Sequence, residues 1–161
     1  MKELLETISR KSIELEDLES QGKTVTNDWL GNTPVSENEI LLAETRLNVK
    51  FPKDYREFLL ITNGFMGPND IEPSFSKLEE VNYLKKILPE INEIYQIKEL
   101  DNAILIGGAS EEQQFLLIPP SSDSDSWKYW KFANWIPGEE EYSDLRNYFE
   151  QVLEFLVDSN S

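Results

Sequence analysis

The stretch Phe51-Pro52-Lys53-Asp54-Tyr55-Arg56-Glu57-Phe58-Leu59-Leu60-Ile61-Thr62-Asn63-Gly64 constrains the fold more than any other. Pro52 suits the first turn of a helix, where its fixed φ is native and its missing N–H leaves no bond unmade. Tyr55, Phe58, Leu59 and Thr62 recur at i, i+3, i+4 and i+7, so two aromatics and a leucine share one helix face. Asn63-Gly64 then tolerates the positive φ of a helix end. The spacing predicts a short core helix bounded at both ends.

Just upstream, Ser36 and Glu39 have capping-box spacing, and Val35 and Ile40 have hydrophobic-staple spacing across the same start. Ile40, Ala43 and Leu47 continue an apolar stripe to about Asn48. The pattern is helix, tight link, helix, with Trp29 before it. Together Trp29, Gly31, Pro34, Glu39, Glu44, Leu47, Val49, Pro52, Tyr55, Phe58, Leu59, Asn63 and Gly64 resemble the signature of the SUKH superfamily. That group includes fungal Smi/Knr-type cell-wall regulators and many bacterial toxin-immunity proteins. The resemblance is densest over residues 29–66 and extends to about 157. Asn48 stands where a glycine is usual and Phe51 where a leucine is usual; Asn also reaches the left-handed region, and Phe is a larger apolar plug.

A chain of 161 residues is expected to form one domain, here a core over 29–157 preceded by an amphipathic helix over 1–22. At this length it buries roughly 70% of its unfolded surface and needs no metal or disulfide to fold. It has no cysteine and no histidine, which removes disulfides, thiolate chemistry, the commonest general base and the commonest transition-metal ligand. No cofactor is expected. No apolar run approaches the roughly 20 residues of a membrane span, and Met1–Glu6 is acidic rather than leader-like. The expected location is cytoplasmic.

The remaining elements come in order along the chain. Leu4, Ile8, Leu15 and Leu18 give the first helix its stripe over 3–20. Phe65 and Met66 precede a turn-rich loop, as its anchor or as part of a cleft rim. Ser76 and Glu79 form a second capping-box pattern ahead of a helix carrying Leu78, Val81 and Leu84 that Pro89 stops. Residues 103–108, 114–118 and 127–132 read as strands. Glu139-Glu140-Glu141 reads as a charged flank before a last helix capped by Ser143 and carrying Leu145, Phe149, Val152 and Leu156. The expected class is α+β: N-terminal helices, a small mainly antiparallel sheet of about four strands, and a closing helix.

The net charge is −16, and residues 111–161, with 3 basic and 11 acidic side chains, hold half of it. Direct nucleic-acid binding is disfavoured, since phosphates need Lys and Arg patches. A basic protein partner is favoured kinetically; plain solubility explains the same charge. Asp123 and Asp125 have the spacing of the first two calcium-loop ligands, but the glycine and terminal glutamate of that motif are missing. No carboxylate pair or Ser–Lys pattern stands out for catalysis, so a non-enzyme is expected. The resemblance implies an immunity protein that occludes a toxin, expected here to be a nuclease; the alternative is a regulatory scaffold like the fungal members. The chain is expected to be a monomer or a weak homodimer. The candidate partner-binding residues are Glu111, Glu112, Asp123, Asp125, Trp127, Tyr129, Trp135, Glu139, Glu140 and Glu141, acids interleaved with aromatics of the kind that anchor interfaces.

A chain without histidine or cysteine should fold independently of metal. Thermal melts with and without a strong chelator should coincide; a large chelator-induced drop in midpoint would overturn this.

Overall fold

The computed structural model describes residues 1–122, 125–133 and 139–160. Three helices come first: α1 (Lys2–Leu15), α2 (Glu37–Leu47) and α3 (Lys53–Ile61). A 3₁₀ turn (Leu78–Glu80) leads to β1 (Asn82–Tyr83), α4 (Leu84–Ile87), α5 (Pro89–Tyr95) and a second 3₁₀ turn (Lys98–Asn102). Then come β2 (Ile104–Gly107), β3 (Gln113–Ile118), β4 (Lys128–Ala133), β5 (Glu139–Tyr142) and α6 (Leu145–Ser159). The five strands form one antiparallel sheet in the order β1-β2-β3-β4-β5. The class is α+β, with one strand more than expected. No helix of the described residues is long and apolar enough to cross a membrane.

The sheet is covered on both faces. Ile104, Ile106, Phe115, Leu117, Tyr129 and Tyr142 point into a large core shared with α1, α2, α3 and α6. Leu105, Leu116, Ile118, Trp130 and Phe132 point the other way, into a smaller core with Leu84, Ile91 and Leu100. This is why β3 is apolar at Phe115 through Ile118 without alternation: both of its faces are inside.

The helix pair read from sequence is present. Ser36 and Glu39 form the capping box, and Asn48 ends α2 in the left-handed conformation at φ 53°. Glu44 locks the pair. Its carboxylate accepts from the Phe51 N–H at 2.8 Å and from two nitrogens of Arg56, both at 3.2 Å. Arg56 also reaches Glu37, and these hydrogen bonds hold its guanidinium more firmly protonated than usual. The end of α3 differs from expectation. Thr62, not Asn63-Gly64, is the cap, in extended conformation, while Gly64 takes φ 91° in the turn beyond. Asn63 caps the next element instead, accepting from the Leu78 N–H at 2.7 Å.

Four other expectations are corrected. The first helix stops at Leu15, and its buried seam is Leu5, Ile8, Ser9 and Ser12 rather than the leucine stripe alone. Ser9 accepts from the Leu30 N–H and Ser12 donates to the Pro68 carbonyl, so the two hydroxyls dock α1 on the core. The Ser76/Glu79 capping box does not form: the Ser76 N–H bonds the Ile106 carbonyl and ties its segment to β2. The helix expected after it is broken because its apolar residues serve different cores. Leu78 and Val81 face one side of the sheet, Leu84 and Ile91 the other, and the chain crosses the sheet edge at β1. Pro89 follows directly on the end of α4, as expected, and also opens α5. Finally, Asp144, not Ser143, caps α6.

Phe75 is the hub of the large core, its ring lying 5.1–5.8 Å from those of Phe58, Phe115, Tyr148 and Phe149. Removing Phe58, fully buried beneath Phe75 and stacked on Phe149, should cost about 3–5 kcal/mol. Denaturant unfolding of Phe58→Ala checks this; wild-type stability would place α3 wrongly.

Candidate interaction surface

The loop Gly67–Ser74 is pinned on several sides. Phe65 and Phe75 exchange backbone hydrogen bonds of 3.1 and 2.7 Å and close its neck, and Gly108 N–H bonds the Ser74 carbonyl. Inside it, Asn69 Oδ1 accepts from the N–H groups of Ile71 and Glu72, a side-chain turn that fixes their direction. Lys23 Nζ donates to the carbonyls of Gly67 and Asn69 at 2.7 and 2.6 Å. Burial lowers the Lys23 pKa, opposed by the charges of Glu111, Asp70 and Glu16. Glu111 accepts from the Ser74 N–H at 2.9 Å, and Gln113 donates to the Ile71 carbonyl. Phe65 is buried and Met66 packs on the core, so this pair anchors the loop.

The loop holds Glu72 against Lys131 of β4. The two side chains are 8% and 9% exposed, and Lys131 Nζ lies 3.0 and 3.1 Å from the two carboxylate oxygens. The Tyr148 hydroxyl of α6 donates to Glu72 at 2.8 Å, and Tyr142 of β5 donates to Glu140 at 3.1 Å. Burial raises both phenol pKa values first, and the neighbouring carboxylates raise them further. Above this network lies a cleft of about 340 Å³ between loop, sheet and α6. Ile71 and Phe155, 50% and 48% exposed, stand on its rim. Sequence reading found neither the ion pair nor these two apolar residues. The available signal was Lys131 itself, a cation amid Tyr129, Trp130 and Phe132 in a strand, where burial demands an acid.

The predicted contact residues do not converge. Glu111, Glu112 and the start of β5 share one end of the sheet, since Gln113 pairs Ala133 and Phe132 pairs Glu139. Asp125 and Trp127 lie at the other end, beyond Ile118 and Lys128, roughly 17 Å away along β3. Glu140 lines the cleft, and Glu111 accepts from the Ser74 N–H of its loop wall. Glu141 sits on the opposite sheet face, accepting from Trp130 Nε1 at 3.1 Å. Asp125 is exposed and bonded to Ser121. Trp127 is half-buried against the core. Tyr129 is corrected: only 5% exposed, it donates its hydroxyl to Asp54, which also accepts from the Leu145 N–H and so ties α3, β4 and α6. It faces the helices because the sheet has no open face. Asp123 and Trp135 lie outside the described residues, and of Glu139 only the strand position is described. Among the described residues no group of three or more acids is placed to hold a metal ion.

The model of the SMI1 / KNR4 family (SUKH-1) matches residues 34–155, from the proline before the α2 capping box to Phe155 on the cleft rim. The chain belongs to that family. No curated protein matches it. Membership of that family supports a protein-interaction domain, and the matched segment contains every described residue that lines the cleft.

The buried groups make the network testable. Lys131→Met strands a buried carboxylate and should cost about 3–5 kcal/mol, and adding Glu72→Gln should restore part of that; equal unfolding midpoints for wild type and single variant would sink the ion pair. Tyr55, Tyr129, Tyr142 and Tyr148 all have raised pKa values, chiefly through burial. The unfolded chain therefore releases these protons first, near pH 10. Their contribution is intact below that pH and declines as pH rises above it. Unfolding free energy measured against pH, with phenolate absorbance, should show the decline accompanied by cooperative tyrosine ionisation.

Proposed function

We propose that this protein is an immunity protein that binds a basic toxin, a nuclease in the reading we favour, and inhibits it by covering its active site. Family membership supports the protein-binding part. The observation that carries the finer reading is the concentration of carboxylates at one end of the sheet, beside a concave surface with exposed apolar side chains. A nuclease gathers positive charge to hold phosphates, and an acidic cover gains encounter rate against it. The regulatory-scaffold alternative needs a partner too, and nothing in the site favours it over occlusion.

The test is association kinetics against the toxin encoded beside the gene. Reversing Glu139, Glu140 and Glu141 to Lys should slow association and flatten its salt dependence. Asp125→Lys, at the far end, should do much less. Those ends are roughly 17 Å apart, and the screening length is about 8 Å at physiological salt. Unchanged association in the triple variant across a salt series would reduce the acidic surface to a solubility feature.

A further inference from the structure

The cleft beneath Ile71 and Phe155 has a chemistry of its own. Its volume of about 340 Å³ is at the lower end for a ligand site, suited to one long side chain rather than a cofactor. Its walls come from a pinned loop, three neighbouring strands (β3, β4 and β5) and one helix. On α6, Tyr148, Gln151, Val152 and Phe155 line it at i, i+3, i+4 and i+7, so the wall is a single helix face. The one cation among its described lining residues, Lys131, is already held by both oxygens of Glu72. Among the described residues Glu140 accepts a single hydrogen bond, from Tyr142, and a carboxylate has about four acceptor positions. Glu111 adds a negative charge nearby that also reaches Tyr148. The cleft is therefore built for a cation, with a half-exposed aromatic wall at its mouth.

We propose that the cleft between loop Gly67–Ser74, β4–β5 and α6 seats an arginine side chain of the partner, with Glu140 as its carboxylate and Phe155 as its apolar wall. This assignment rests on the protein-binding function proposed for the chain. Arginine fits better than lysine because a guanidinium is planar, weakly hydrated, stacks on aromatic rings and pairs with carboxylates through several N–H groups. A second copy of this chain is disfavoured as the source, since two molecules of net charge −16 repel. The residue enters a preformed site, which limits the ordering cost of binding.

The experiment is a chemical-shift titration of the isotope-labelled full chain with the capped peptide acetyl-Gly-Arg-Gly-amide, beside its lysine and citrulline counterparts. Saturable shifts at Ile71, Gln113, Glu140, Gln151 and Phe155 are expected, with the citrulline peptide weaker by about fivefold or more. Glu140→Gln and Phe155→Ser, both at exposed positions, should each weaken the arginine peptide about threefold. An equal response to citrulline, tighter binding of the lysine peptide, or shifts spread over Asp125 and Glu141 as well would overturn the proposal. So would concentration-dependent shifts of the same residues without peptide, which would make a second copy the occupant. A toxin that binds both variants with wild-type dissociation rates would overturn this inference and leave the protein-binding reading standing.

Discussion

The Glu72–Lys131 ion pair is the contact on which the arrangement of loop, sheet and closing helix depends. Lys131 belongs to β4, Glu72 to the loop after α3, and Tyr148, which shares the carboxylate, to α6. Three segments far apart in the chain meet at one carboxylate. Such a pair is weak support for stability by itself, because removing two charges from water offsets most of their attraction. Its effect is on position. The pair seats the loop on this sheet where the acid meets Lys131. Asn69, Lys23, Gln113 and Glu111 then hold the rest of the loop to that seat.

The same logic of polar groups fixing apolar layers recurs elsewhere. Glu44 joins α2 to α3 through Arg56 and the Phe51 N–H, and Asp54 joins α3 to β4 and α6 through Tyr129 and the Leu145 N–H. Each carboxylate stands at a corner where apolar packing alone leaves the relative angle of two elements open. Hydrophobic burial supplies the larger free energy, and it is non-directional. The directional part comes from these acids. A fraction of the chain's acidic content is therefore structural, and it includes exposed acids: Glu111, before β3, accepts from the Ser74 N–H, and Glu141 of β5 accepts from Trp130 Nε1.

What was legible in the sequence was local. The α2 capping box, the left-handed Asn48 and the Tyr55–Phe58–Leu59 face are each determined within one or two helical turns, and each is present. What was not legible depended on which side of the sheet a residue serves. Leu78, Val81, Leu84 and Leu88 have helical spacing, yet Leu78 and Val81 go to one core and Leu84 to the other, and the helix is lost. β5 reads as a charged flank because an edge strand tolerates exposed acids such as Glu140 and Glu141, which also keep its open side from pairing with other strands. Tyr129 departs from its expected role for the complementary reason. A strand next to a polar loop suggests one solvated face, and this sheet is covered on both. The cleft was invisible for a third reason: Glu72 and Lys131 are fifty-nine residues apart and no local pattern links them.

The division between acids tied into the framework and acids free of it bears on how far the surface of such a domain can vary without changing the fold. Glu44, Asp54 and Glu72 are tied to backbone N–H groups, to cations or to tyrosines, so substitution there loosens the framework. Glu112 lies on the surface with the framework already closed beneath it. Surface substitutions away from such networks usually move stability by no more than about 0.5 kcal/mol. Positions such as Glu112 are thus free to vary in charge, whereas Glu111, Glu140 and Glu141 are tied to Ser74, Tyr142 and Trp130. The loop floor, held by Glu72, keeps the cleft in place under that variation. If the cleft seats a partner's arginine as proposed, a fixed recess is paired with a variable rim, and a like charge on that rim would repel a wrong partner before the recess is reached.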